Sequence, residues 1–251
     1  MGFSDIFKKK RPEVKPEELF DLSLIGTDMH SHLVFGIDDG AQTIEDSLQL
    51  IELLMQMGYK KCITTPHIFR DLYLNSPDTI RPNFLKVQEA IKERQWDFEF
   101  HFAAEYYCDE HFEKLIEKDE VLTMGNRYVL LEYSFQEEPA NAKRTLFNLQ
   151  IQGYKPILAH PERYEYFHNM FHKYEELVER DVQLQLNLNS LSGHYGLNVK
   201  KASEKLIDAG LISFIGTDCH HVGHINLMPQ ARANPHLKKL FESGRLKNHL
   251  L

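Results

Sequence analysis

Leu24-Ile25-Gly26-Thr27-Asp28-Met29-His30-Ser31-His32 (residues 24–32) sets the pattern for the whole chain. An apolar, β-branched run reads as a buried strand. It ends in an acid and two histidines instead of a turn. His30 and His32 are spaced i, i+2, so on a strand both point to the same side.

The pattern recurs downstream. Apolar or β-branched runs lie at 62–65, 98–104, 128–132, 156–159, 182–188 and 212–217. The second runs into Thr65-Pro66-His67 and the third into Ala104-Glu105-Tyr106. The fourth ends at Glu132 and the fifth at His160-Pro161-Glu162-Arg163. The seventh ends at Thr217-Asp218-Cys219-His220, where Asp218 and His220 repeat the i, i+2 spacing. Six of the seven strands thus carry an ionisable residue at their C-terminal end.

Helical patterns separate the runs. The clearest spans 43–57. Thr43 can cap it, with Asp46 as the capping-box partner, Ile44, Leu48 and Ile51 on one face, and Gly58 as the stop. Others are expected over 78–94, 109–118, 140–152, 172–180, 199–209 and 235–241. Strands alternating with helices imply parallel pairing through crossover helices. The expected fold is α/β, a closed or nearly closed (β/α) barrel in a single domain over residues 21–251. An open doubly wound sheet is the alternative, but no Gly-rich phosphate loop follows the first strand.

In a parallel barrel the C-terminal strand ends converge on one face. Taken singly, a His at a strand end is more often a hydrogen-bonded structural residue, and a buried Glu more often half of an ion pair. Their recurrence at one structural position is what points to metal. Imidazole suits zinc, iron or manganese, and carboxylates suit manganese or magnesium and can bridge two ions. So many donors exceed what one tetrahedral ion accepts. Two or three ions would use them, and such clusters suit phosphoryl hydrolysis.

Composition narrows the classes further. A chain of 251 residues with 42% hydrophobic content is long enough for a sizeable core. A net charge of −8 argues against a nucleic-acid partner. No run approaches the length of a membrane span, and residues 1–15 lack a signal-peptide core. Cys62, Cys108 and Cys219 form no disulfide framework, so a cytoplasmic location is expected. None of the three sits in a phosphate loop followed by Arg, so no cysteine nucleophile is expected. Residues 1–20, with the basic run Lys8-Lys9-Lys10-Arg11, read as a poorly ordered tail.

Asp28-x-His30-x-His32, with the later His, Glu, His and Asp-x-His elements, resembles the polymerase and histidinol phosphatase family of metallohydrolases. A closer resemblance is to the bacterial tyrosine-protein phosphatase branch associated with capsule and exopolysaccharide synthesis. It is carried by DMHSHLVFGIDDGAQTIEDSL (28–48), TTPH (64–67), AAEYY (103–107), LLEYS (130–134), AHPERY (159–164) and GTDCH (216–220).

That resemblance implies a distorted (β/α)7 barrel and a three-metal cluster of manganese, iron or zinc, with magnesium also admissible. The implied ligands are His30, His32, Asp39, His67, Glu105, Glu132, His160, Asp218 and His220, with Glu105 bridging and a metal-bound hydroxide as nucleophile. Arg163 matches the family's phosphate-binding arginine, whose planar fork can grip two oxygens. Arg163, Asp39 and His67 are the implied catalytic residues. The family often carries a second Arg after the last Asp-x-His. Here His221, His224 or Arg70 would have to replace it in binding substrate.

The implied activity is hydrolysis of phosphotyrosine on a protein, a bacterial tyrosine kinase above all. Tyr73, Tyr106, Tyr107, Tyr133, Tyr164 and Tyr166 are candidates to stack on the substrate ring. The alternatives are a small-molecule phosphatase, such as one for histidinol phosphate, and a non-catalytic metal-bound regulator.

Overall fold

A computed structural model describes residues 19–251, so the basic run of the expected tail lies outside the described residues. The nine strands in it are all paired in parallel. One sheet orders β1 (Thr27–Asp28), β2 (Lys61–Thr64) and β4 (Glu99–Phe102) as β1-β2-β4. The other orders β3 (His67–Ile68), β5 (Glu105–Tyr107), β6 (Tyr128–Glu132), β7 (Lys155–Ala159), β8 (Gln183–Asn187) and β9 (Ile212–Gly216) as β3-β5-β6-β7-β8-β9.

The second and third expected strands are each followed by a short further strand beyond their expected bounds. The second stops before Thr65-Pro66, where Pro66 has no N–H to give a ladder, and β3 follows. The third breaks at Ala103-Ala104 and resumes as β5. Backbone bonds continue through both gaps. Thr65 N–H donates to Ser31 O at 2.7 Å, Ala103 N–H to Thr64 O at 2.9 Å and Glu105 N–H to Pro66 O at 3.1 Å.

The far ends of the order also meet. Asp218 N–H donates to His30 O at 2.7 Å, and His32 N–H to Cys219 O at 2.9 Å. Asp28 reinforces this seam by accepting from Thr217 N–H at 2.9 Å and Thr217 Oγ1–H at 2.8 Å. Burial outweighs these bonds and the nearby His30, and lifts the Asp28 carboxyl to about 6.

The main helices are α1 (Ile44–Gln56), α2 (Pro77–Glu93), α3 (Glu110–Glu117), α4 (Ala142–Ile151), α5 (His172–Glu179) and α6 (Leu197–Asp208). Two short ones missed in the sequence, α7 (Val222–Ile225) and α8 (Met228–Arg232), precede α9 (Pro235–Glu242). The capping box expected for α1 is present. Thr43 Oγ1 accepts from Asp46 N–H at 3.1 Å, and Asp46 Oδ2 from Thr43 N–H at 2.9 Å.

The large core lies where helices pack on strands, with Leu50, Ile51, Leu131, Leu158, Leu184 and Leu206 all essentially inaccessible. A second, smaller cluster gathers Met29, Ile63, Ala103, Leu130, Ile157, Ala159 and Phe214, residues in or beside β1, β2, β4, β6, β7 and β9. Side chains two apart on a strand share a face. Leu130 belongs to this inner cluster, and Glu132, two along β6, and Glu105, the register partner of Leu130 on β5, share its face.

Candidate metal centre

The site is built where β1, β6, β7 and β9 end and, unlike the expectation for His67 and Glu105, where the short strands β3 and β5 begin. His30 and His32 follow β1 and are fully buried. His67 starts β3, Glu105 starts β5 and Glu132 ends β6. His160 and Asp218 follow β7 and β9 with positive φ values of 33° and 50°, a conformation unusual outside glycine. Such outliers cluster at functional sites, because surrounding structure must hold them there.

Glu105 is the hub. Its Oε2 lies 3.1 Å from His30 Nε2, 3.4 Å from His32 Nε2 and 3.2 Å from His67 Nδ1. Its Oε1 lies 3.0 Å from His160 Nε2. Although ringed by three imidazoles, buried Oε2 makes no hydrogen bond of acceptable geometry. A carboxylate oxygen left that way is costly in a protein interior, and a cation held between it and the nitrogens would satisfy both.

The remaining donors complete the arrangement. Four sets have ligand atoms within 4.8 Å of one another: His32, Asp39, His67 and His220; His30, His32 and Glu105; His30, His160 and Asp218; and His67, Glu105 and Glu132. Together they contain all nine residues that the sequence resemblance implied. Asp39, more than half exposed, lies 3.6 Å from His67 Nε2 and 3.5 Å from His220 Nε2, at the outer side of the cluster.

The electrostatics reflect dense pairing. Burial opposes a charge on His30, but the Glu105 and Asp218 carboxylates outweigh it and lift the imidazole to about 9. His32, facing Asp38, is raised as well. Burial likewise opposes charge on Glu105 and Asp218, yet the surrounding imidazoles hold both well below the usual carboxylate range. Metal ions would take the place of those imidazole protons.

Orienting partners were missed in the sequence. Asp38 Oδ2 pairs with His32 Nδ1 at 2.8 Å and accepts from His67 N–H at 3.1 Å. Gln185 Oε1 lies 2.9 Å from His30 Nδ1. Second partners of this kind fix the orientation of metal-binding imidazoles. Asp-Asp-Gly is ordinarily a turn signal, and here the turn delivers both acids. Gly40 is required because a Cβ there would lie 2.1 Å from His32 O.

Arg163 faces the same centre. Its Nη1 donates to Asp218 Oδ2 at 3.0 Å, while Glu162 turns away to accept from Asn187 N–H and Ser190 Oγ–H. A cavity of about 310 Å³ opens over the cluster, lined in part by Arg163, His221, His224, Phe135 and Tyr195. Arg70 is exposed and is not among the lining residues. Burial, with His221 beside it, pushes His224 down to about 4, which disfavours its charged form. Tyr106, Tyr133 and Tyr164 are buried in the core, so they offer no face to a substrate. Cys219 is also buried in the core, and burial raises its thiol.

Comparison with known proteins supplies the context. A family model described as Capsular polysaccharide synthesis, CpsB/CapC, matches residues 26–242. The tyrosine-protein phosphatase CpsB of Streptococcus pneumoniae is 30% identical over 78% of this chain and 83% of its own length. The tyrosine-protein phosphatase YwqE of Bacillus subtilis (strain 168) is 28% identical over 81% of this chain and 80% of its own. A solved chain from the crystal structures of YwqE and CpsB, described as metal-dependent tyrosine phosphatases, superposes with a TM-score of 0.78 at 27% identity, covering 88% of this chain and 94% of that one. An amidohydrolase from Mycoplasma synoviae shares the fold alone, with a TM-score of 0.55 at 12% identity.

Proposed function

The chain belongs to the CpsB/CapC family of capsular polysaccharide synthesis, and on that premise we propose how its residues carry out the reaction. It is a metal-dependent tyrosine-protein phosphatase of the polymerase and histidinol phosphatase type. The observation that carries the mechanism is the buried, unbonded Glu105 Oε2 ringed by three imidazoles, with Arg163 facing the same cavity.

His30, His32, Asp39, His67, Glu105, Glu132, His160, Asp218 and His220 would hold two or three divalent ions, manganese, iron or zinc, with magnesium also admissible. Bound there, such ions activate water and neutralise phosphate charge. The chain's own contributions are binding and orientation. Arg163 spends one N–H on Asp218 and keeps its other donors for phosphate oxygens. Asp39 and His67, at the outer side of the donor cluster, hold the part of it nearest the substrate. Asp38 and Gln185 fix the imidazole planes.

The substrate we favour is a phosphotyrosine segment of a bacterial tyrosine kinase that controls capsule or exopolysaccharide synthesis, met in the cytoplasm. Among the described residues no helix is long and apolar enough to cross a membrane. The strand ring is read as a distorted (β/α)7 barrel in one domain spanning residues 21–251. Support comes from the bonds joining residues 30–32 to 218–219 and from the inner apolar cluster, whose members lie in or beside β1, β2, β4, β6, β7 and β9.

The test is hydrolysis of a phosphotyrosine peptide by purified protein, with and without chelator, beside metal analysis of the same sample. The expected result is turnover that chelation stops and metal restores. Equal rates in both arms would remove the metal mechanism. Histidinol phosphate as a parallel substrate separates protein from small-molecule specificity.

A further inference from the structure

Arg163 does not stand free in its cavity. Its guanidinium carbon lies 4.5 Å from the centre of the Phe135 ring and 4.2 Å from that of Tyr195. A cation between two aromatic rings is attracted by both and restricted in its motion. The rings themselves differ. Tyr195 is partly buried, and its hydroxyl accepts from Asn187 Nδ2–H at 3.2 Å. Phe135 sits on the loop between β6 and α4, packs on His160 at 5.6 Å and remains 47% exposed.

An exposed phenyl group at the mouth of this cavity stands out chemically. Most of the cavity's other lining residues, Asp39, His67, Glu132 and Asp218 among them, are ionisable. Phe135 leaves apolar area in water beside the guanidinium suited to gripping phosphate. That placement matches a ligand that is anionic at one end and aromatic directly behind it. Tyr73, stacked on His67 at 5.4 Å, is not among the residues lining the cavity.

We propose that Phe135 sets the preference for aryl phosphates. With the phosphate on Arg163, the tyrosyl ring lies one ester oxygen away and packs against the exposed part of Phe135. An alkyl phosphate such as phosphoserine has no ring to place there. This inference rests on the tyrosine phosphatase reading and assigns its ring-binding contact.

The experiment measures KM and kcat for a phosphotyrosine peptide, and the inhibition constant of inorganic phosphate, which has no ring. The proteins are the metal-loaded wild type and the variants Phe135→Ala, Phe135→Leu and Phe135→Tyr. In Phe135→Ala and Phe135→Leu, KM should rise roughly three- to tenfold relative to the phosphate inhibition constant, with kcat changing less. Phe135→Tyr, which keeps a ring, should stay near wild type. If KM and the phosphate constant rise together, Phe135 only supports Arg163 and the proposal falls. It also falls if neither changes, or if Phe135→Tyr behaves like Phe135→Ala. A wild type that binds phosphate but hydrolyses no phosphotyrosine would defeat the underlying reading before any variant is compared.

Discussion

Asp38 and His32 are joined by a buried contact of 2.8 Å between Oδ2 and Nδ1, which aims the opposite nitrogen of the imidazole at Glu105 and Asp218. Asp38 is no member of the donor sets around the cluster, so its effect passes through His32. Asp38→Asn keeps the shape and removes the charge. Metal affinity should fall by roughly tenfold or more, as is usual when such a partner is lost. Competition against a coloured chelator measures it, and an unchanged affinity would show that His32 needs no orienting charge.

Arg163 is the second target. Arg163→Lys retains a positive charge but loses the planar fork and its two-point grip. Its kcat/KM on a phosphotyrosine peptide should drop by on the order of 10²-fold, the scale found when one donor to a developing anion is removed. Metal content should stay near wild type, since Arg163 donates hydrogen bonds and ligates nothing. Full activity in the Lys variant would leave the phosphate with another anchor.

Thiol chemistry offers an independent check. Cys62, Cys108 and Cys219 are all buried. Burial pushes Cys108 up to about 12 and raises the other two thiols as well. Iodoacetamide near neutral pH should therefore leave turnover intact in folded protein, because the thiolate is the reactive form. Rapid inactivation that follows alkylation of one cysteine would contradict a metal-based reaction.

Acid stability should depend on a pair remote from the site. Arg144 makes a two-point contact with Glu113 at 3.0 and 2.8 Å, and Thr145 Oγ1–H adds a third bond at 3.0 Å. The guanidinium bonds hold the Glu113 carboxyl below its usual 4.5. A depressed carboxylate stabilises the fold above its unfolded pKa, and that stability is lost as pH falls through the folded value. Arg144→Ala should lower the melting temperature at pH 7, and the gap to wild type should close below about pH 4. A gap that is constant with pH would assign the effect to packing.

Much of this was legible in the sequence because the informative signals are local. The i, i+2 pairs His30/His32 and Asp218/His220 stood out by spacing alone, although both lie just beyond β1 and β9 and not on them, and the α1 capping box needed only Thr43 and Asp46. The Ala103-Ala104 step interrupts a run that reads as continuous, because a break in pairing leaves apolar content unchanged, and the two-residue β3 beyond Pro66 is too short to leave a pattern. The orienting contacts were harder to find. Gln185 meets His30 across 155 positions, and no spacing rule links them. Asp38 and Asp39 are adjacent acids on one turn, and only the path set by Gly40 sends one toward His32 and the other toward His67 and His220. Phe135 was passed over because an exposed Phe in a loop is unremarkable until Arg163, 28 positions on, is seen beneath it.

The seam between residues 30–32 and 218–219 also dictates when the enzyme can first exist. Translation delivers the two imidazoles after β1 early and Asp218 and His220 almost last, and domains generally fold as units. A growing chain therefore exposes half a chelating surface for most of its synthesis and gains full grip on its ions only near the end. On the proposed ligand set, complete loading waits for β9, and a chain truncated before it should bind fewer ions.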